Sequence, residues 1–144
     1  MIRKATLSDA RAIARLAIQM WPSHTVRELE QEFQALMADD AAALFVYTLD
    51  HAVIGFAQCQ LRHDYVEGTD SSPVGYLEGV FVEENCRKRG FGKALIHACE
   101  QWAREQGCAE FASDCELENT QSLAFHLHSG FTEANRIICF VKKL

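Results

Sequence analysis

The chain has 144 residues, of which 49% are hydrophobic and 24% are charged, and its net charge at pH 7 is -6. This length accommodates one folded domain with a buried core, so we expect residues 1–144 to form a single domain. The negative charge argues against a nucleic-acid partner, and no apolar run is long enough for a membrane span. The N-terminus lacks the apolar core of a signal peptide, which predicts a cytoplasmic protein. The six cysteines include no CxxC pair, so we expect free thiols rather than disulfides or a metal site.

The first half of the chain is predicted to contain two helices and three strands. Apolar residues recur at helical spacing from Ala12 to Met20 and again from Val26 to Met37, and residues 21–24 separate the two helices. A short strand at 2–3 precedes them, and a hairpin of strands at 44–49 and 53–62 follows.

The second half alternates strands with helices. After a polar loop at 64–73, the pattern predicts strands at 76–82, 110–114 and 135–141 and helices at 91–106 and 119–129. The sequence therefore predicts a mixed α/β domain with an antiparallel first half.

A basic turn with spaced glycines joins the predicted strand 76–82 to the next helix. This order presents backbone N–H groups, the positive end of a helix dipole and cationic side chains to one anion, such as a pyrophosphate. The turn alone would equally suit an ordinary surface loop. A polar stretch separates it from the strand and GK[ST] is missing, so neither a dinucleotide site nor a P-loop fits.

The turn resembles the acetyl-CoA signature R/Q-x-x-G-x-G/A of the GNAT acetyltransferases, through Arg87, Gly90 and Gly92. Most of the chain is similar to aminoglycoside 6′-N-acetyltransferases, through motifs in the same order: WP (21–22), RHDYVEG (62–68), SSPV (71–74), YLEGVFV (76–82), ASD (112–114), ENT (118–120) and HLHSGF (126–131). The resemblance implies the GNAT fold, a mixed, mostly antiparallel sheet with flanking helices and splayed central strands. It also implies acetyl transfer from acetyl-CoA to the 6′-amine by direct attack on the thioester, without a metal.

The same resemblance implies the residues that bind acetyl-CoA. They are Phe81, Val82, Arg87, Lys88, Arg89, Gly90, Phe91, Gly92, Lys93 and Asn119. The backbone of Phe81 and Val82 would hold the pantetheine, and one N–H there would polarise the thioester carbonyl. Asn119 opens a predicted helix, so helix capping and a pantetheine contact both remain open for it.

Acetyl transfer needs a neutral amine, and a carboxylate can attract the ammonium group and then accept its proton. Glu78 interrupts an apolar strand, and Asp114 ends the next strand. We expect both in the catalytic site, with the base unassigned between them, although each could be a purely structural acid. Many GNAT enzymes carry Tyr at the position of His126, which would either protonate the thiolate or pack against the sulfur.

An aminoglycoside is a polycation, so its pocket should be acidic with aromatic walls. The resemblance implies that the acceptor binds to Trp21, His24, Tyr65, Glu67, Asp70, Glu78 and Asp114. Trp21 would otherwise be a core aromatic residue, and Glu67 and Asp70 would belong to a solvated loop.

The apolar strand at 135–141 would leave an exposed sheet edge. Similar enzymes exchange C-terminal strands, which predicts a homodimer. Two other functions stay open: a GNAT enzyme for another amine, such as a polyamine, peptide or amino sugar, and a non-catalytic acetyl-CoA-binding module. The paired carboxylates favour catalysis because a binding module needs no base.

Overall fold

The computed structural model describes all residues from Met1 to Leu144. Five strands form one sheet in chain order. They are β1 (Ile2–Lys4), β2 (Ala42–Leu49), β3 (Ala52–Arg62), β4 (Val74–Val82) and β5 (Phe111–Ser113). The first three pairings are antiparallel and β4 pairs with β5 in parallel, so the predicted mixed, mostly antiparallel sheet is confirmed.

Four helices flank this sheet: α1 (Ala10–Ala17), α2 (Val26–Met37), α3 (Phe91–Glu105) and α4 (Thr120–His128). Side chains cap two of them. The Thr25 hydroxyl accepts from the backbone N–H of Glu28, and the Asn119 side-chain oxygen accepts from that of Ser122. Such caps satisfy N–H groups that the first turn of a helix leaves without a partner. None of the helices combines the length and the apolar character that crossing a membrane requires.

The sheet separates two apolar layers. On one face, α1 and α2 bury Ile13 and Phe33 against Phe56 of β3. On the other face, α3 buries a stripe at helical spacing, formed by Leu95, Ile96, Cys99, Trp102 and Ala103. All six cysteines are free thiols, and four of them are buried. Burying both faces of the sheet fixes β4 between the helices.

Strand β4 has two irregular features that prepare the site. Its pairing with β3 runs from Gly79↔Gln58 directly to Leu77↔Cys59, so Glu78 is the extra residue of a β-bulge. Its pairing with β5 covers only Gly75 to Leu77. Glu78 therefore comes directly after the last residue of β4 that pairs with β5, at the point where the two strands separate. A bulge also redirects side chains and bends its strand. The expected splaying of the central strands is therefore present.

The strand predicted at 135–141 is wrong for this chain. Residues from 132 to the C-terminus form no helix or strand, and the side chains of Ile138, Phe140 and Val141 are 81%, 91% and 94% exposed. The apolar pattern describes strand propensity correctly, but a strand needs a hydrogen-bonding neighbour, and the sheet ends at β5.

Candidate active site

The basic turn leaves a run of backbone donors without partners. Lys88 and Gly90 adopt positive φ angles of 62° and 83°, and α3 begins directly after them. Consecutive amide N–H groups in this turn and in the first turn of α3 donate no hydrogen bond within the chain: those of Lys88, Arg89, Gly90, Phe91, Gly92 and Lys93. Such a concave series of donors at the N-terminus of a helix is a site for an anion.

The side chains of the turn add positive charge around these donors. Arg89 lies over the ring of Phe91, at 4.8 Å from its centroid, and that ring stacks on Tyr47. A groove of about 590 Å³ continues from the turn along α3, lined by Gly90, Lys93, Ala94, His97, Ala98 and Gln101. Sequence reasoning missed His97 and Gln101. They follow Lys93 by one and two helical turns, and this spacing places them on the same face of α3 as Lys93.

Gly92 lets α3 begin close to α4. A Cβ at this position would lie 2.9 Å from a ring carbon of Phe125, closer than such atoms approach in proteins. The glycine therefore brings the basic turn next to α4 and to the end of β4.

Beyond Leu77, one edge of β4 has no strand beside it. The N–H of Glu83 donates to the Ile54 carbonyl in β3. Successive residues of a strand direct their backbone N–H and C=O groups to opposite edges, so those of Val82 and Val80 point away from β3, to the free edge. The Val82 carbonyl there accepts a hydrogen bond of 2.8 Å from Nε of Arg87. Alternation turns the backbone of Phe81 toward β3, so Val80 is a free-edge residue that sequence reasoning missed.

A cleft of about 360 Å³ lies between the turn at residues 21–24, α2 and strands β3 and β4. Three residues predicted for the acceptor site line it together: Trp21, His24 and Glu78. The other lining residues are Leu29, Glu32, Phe33, Leu36 and Gln58. Nδ1 of His24 lies 3.6 Å from Glu28 and 3.9 Å from Glu32. The cleft is thus acidic with an aromatic wall, and Glu32 is an acid that sequence reasoning did not select.

Glu78 is held by a neighbouring arginine. Nε and Nη2 of Arg62 donate to Oε1 of Glu78 at 3.1 and 2.9 Å, and Nη2 also donates to Oε2 at 3.0 Å. The guanidinium of Arg62 lies over the ring of Tyr76, at 3.4 Å from its centroid. The Tyr76 hydroxyl donates in turn to Asp114. Contacts through Arg62 and Tyr76 therefore connect the two predicted catalytic carboxylates.

The Tyr76 hydroxyl is a donor that keeps its proton. Burial of the side chain, together with the hydrogen bond to the Asp114 carboxylate, raises the pKa of this hydroxyl above its usual value. Because the Tyr76 hydroxyl stays neutral, it donates this hydrogen bond to the carboxylate of Asp114.

Both ring nitrogens of His126 make contacts within the chain. Its Nδ1 lies 2.7 Å from the carbonyl oxygen of Ser122, so Nδ1 carries the proton and donates. Its Nε2 lies 2.8 Å from the hydroxyl of Ser113 at the end of β5, and that hydroxyl also lies 3.3 Å from the carbonyl oxygen of Leu77. Both nitrogens of the His126 ring are therefore engaged by groups of the chain itself.

The loop residues Tyr65, Glu67 and Asp70 lie outside the lining of the cleft. Tyr65 and Asn135 both donate to the carboxylate of Glu67, and these two hydrogen bonds lower its pKa. The side chain of Glu110 accepts from the N–H of Asp70 and so ties the loop to β5. The structure thus joins Trp21, His24 and Glu78 in one cleft but leaves this acidic loop beside it.

Comparison with known proteins gives consistent matches. The profile of the acetyltransferase (GNAT) family matches residues 10–131. An aminoglycoside N(6′)-acetyltransferase type 1 from Stenotrophomonas maltophilia is 42% identical over 96% of this chain and 90% of that protein. One of the same name from Salmonella typhimurium is 42% identical over 87% of this chain and 86% of that protein.

Solved structures agree with these sequence matches. AAC(6′)-Iy in complex with the bisubstrate analogue CoA-S-monomethyl-acetylneamine is 39% identical, with a TM-score of 0.95 over 100% of this chain and 98% of that one. The apo form of AAC(6′)-IG from Acinetobacter haemolyticus is 35% identical, with a TM-score of 0.94 over 100% of this chain and 99% of that one.

Proposed function

This chain belongs to the GNAT acetyltransferase family, and we propose that it transfers the acetyl group of acetyl-CoA to the 6′-amino group of aminoglycosides. The sequence resemblance and the expected fold are confirmed by the family match and by the solved structures. The observation that carries the proposal is the arrangement along β4. An anion-binding turn follows its end, and Glu78 projects from its middle into an acidic, aromatic cleft.

Acetyl-CoA, the acetyl donor, would extend from the turn to the free edge of β4. The pyrophosphate of acetyl-CoA would accept hydrogen bonds from the amides of residues 88–93, with Arg87, Lys88, Arg89 and Lys93 supplying positive charge. The pantetheine would then extend along the edge at Val80 and Val82. An N–H there would polarise the thioester carbonyl, and one such donor contributes about 3–4 kcal/mol to transition-state stabilisation.

The acceptor would occupy the cleft at the other side of Glu78. Trp21 and His24 provide its wall, and Glu32 and Glu78 provide negative charge for a polycationic sugar. The loop with Tyr65, Glu67 and Asp70 would bind amines of the acceptor that extend beyond the cleft.

In the reaction, the neutral 6′-amine attacks the thioester carbon, the attacking nitrogen loses a proton to water as the C–S bond breaks, and the departing thiolate takes up a proton from water. The proton of the incoming ammonium group goes to Glu78 or Asp114, directly or through water. Both ring nitrogens of His126 are engaged within the chain, Nδ1 by the Ser122 carbonyl and Nε2 by the Ser113 hydroxyl. We therefore propose for it the packing role beside the coenzyme sulfur, and the thiolate takes its proton from water.

A pair of acceptors that differ only at position 6′ tests the proposed function. With acetyl-CoA, the protein should release thiol with a 6′-amino aminoglycoside and show at least a hundredfold lower kcat/KM with the matching 6′-hydroxy compound. The reason is that the neutral amine is the nucleophile, and a hydroxyl offers a far weaker one. Thiol release is followed with a chromogenic disulfide.

Two outcomes would replace the proposal. Turnover of a polyamine, peptide or amino sugar in place of 6′-amines would assign another acceptor to the same family. Tight binding of coenzyme A without turnover of any amine would assign a binding module.

Removing either carboxylate should impair transfer. Glu78→Gln and Asp114→Asn keep the size of each side chain but remove its charge and basicity. We expect kcat/KM for the acceptor to fall by about a hundredfold or more for the variant that lacks the base. The KM for acetyl-CoA should stay unchanged in both variants.

Asp40→Asn is the matched control, since Asp40 is exposed between α2 and β2. If both site variants kept the activity of this control, neither carboxylate would serve the acceptor.

We further propose a homodimer built through the C-terminal segment, residues 132–144. Exposed apolar side chains in this segment face solvent, among them Ile138 and Phe140. The outer edge of β5 has no partner strand, and α4 buries none of its residues completely. If two copies exchanged this segment, it would supply the strand that β5 lacks. The exchange would also cover the apolar side chains of the segment and the incompletely buried residues of α4.

A charge in the segment should separate the two copies. We expect Ile138→Glu to shift the protein from dimer to monomer in light scattering, because burying an unpaired carboxylate in an interface is costly. Leu7→Glu, at another exposed apolar residue, should leave the dimer intact. A monomeric wild-type protein, or a dimer that Ile138→Glu leaves unchanged, would contradict this arrangement.

Two broader properties complete the proposal. We propose that residues 1–144 act as one N-acetyltransferase domain, which the span of the matches supports. We also propose a cytoplasmic location, which acetyl-CoA as the donor and the six free thiols support.

A further inference from the structure

Asp114 depends on one contact for its orientation. It follows the last residue of β5, it is exposed, and residues 115–118 after it form no helix or strand. Its single hydrogen bond within the chain comes from the hydroxyl of Tyr76. A carboxylate at the end of a short strand would otherwise sample several rotamers.

Glu78 depends on the same residue indirectly. Both of its oxygens are held by Arg62 alone, and the guanidinium of Arg62 lies over the ring of Tyr76. The side chains of Arg62 and Glu78 are 42% and 23% exposed, so their pairing alone would be a weak surface contact. Stacking on the ring fixes the position of the guanidinium and, with it, the carboxylate.

Tyr76 can position other residues because it is itself fixed. Only 6% of its surface is exposed, and it packs with Val66 and Val74 in a small apolar cluster. One buried side chain therefore connects two parts of the sheet: its hydroxyl contacts Asp114 directly after β5, and its ring supports Arg62 of β3.

We propose that Tyr76 is the positioning residue of the acceptor site, holding Asp114 through its hydroxyl and Glu78 through the Arg62 guanidinium on its ring. This inference rests on the proposed function, in which those two carboxylates contact the amine. It assigns to Tyr76 no contact with either substrate. Because the two contacts use different parts of the side chain, they can be removed separately.

Tyr76→Phe removes the contact to Asp114 and keeps the ring under Arg62. We expect kcat/KM for the 6′-amino acceptor to fall about tenfold, as for the loss of one hydrogen bond to a charged group. The KM for acetyl-CoA and the urea midpoint of unfolding should change little.

A double-mutant cycle separates positioning from a general structural effect. In the Asp114→Asn background, Tyr76→Phe should lower acceptor binding, measured by calorimetry, by less than twofold. In the Glu78→Gln background, its full effect should persist. An equal loss in all three backgrounds would overturn the proposal, since a structural role would not depend on Asp114.

Crystal structures of the wild type and of Tyr76→Phe provide a readout that needs no acceptor. The variant should show Asp114 displaced or in more than one conformer, with the Arg62–Glu78 pair unchanged. An undisturbed Asp114 would overturn the positioning role whatever the acceptor is. Failure of the wild type to acetylate 6′-amines, in contrast, would count against the proposed function alone.

Discussion

Beyond Leu77, β4 keeps a hydrogen-bonded neighbour on one edge only, and the rest of the site depends on this loss of pairing. A fully paired strand would have no backbone groups to offer a ligand. The bulge at Glu78 lies at the point of separation, so the acid enters the cleft where the free edge begins. The two helical layers hold β4 in place while its edge stays open.

Positive charge lies in the turn after β4, and negative charge lies in the cleft at the middle of β4. The turn after β4 combines free amides with cationic side chains, although the whole chain carries a net charge of -6. The cleft at the middle of β4 contains Glu32 and Glu78. An anionic coenzyme and a cationic acceptor are thus attracted to adjacent regions, and their reacting groups would meet between Glu78 and Val82.

Local patterns in the sequence predicted much of this arrangement. The helix predicted at 91–106, the apolar strand before the turn and the glycine at position 90 each have a signal within a few residues. The bulge at Glu78 has no such signal, because it depends on register with β3. The contacts of Tyr76 and Arg62 connect distant segments, and the segment at 135–141 needs a neighbouring strand that this single chain lacks.

We place the coenzyme site at the turn and the free edge of β4. A titration of ¹⁵N-labelled protein with coenzyme A, followed through its amide resonances, tests it most directly. We expect the largest shifts at residues 88–93 and at Val80 and Val82. Saturable binding that leaves these resonances in place and shifts others would contradict it.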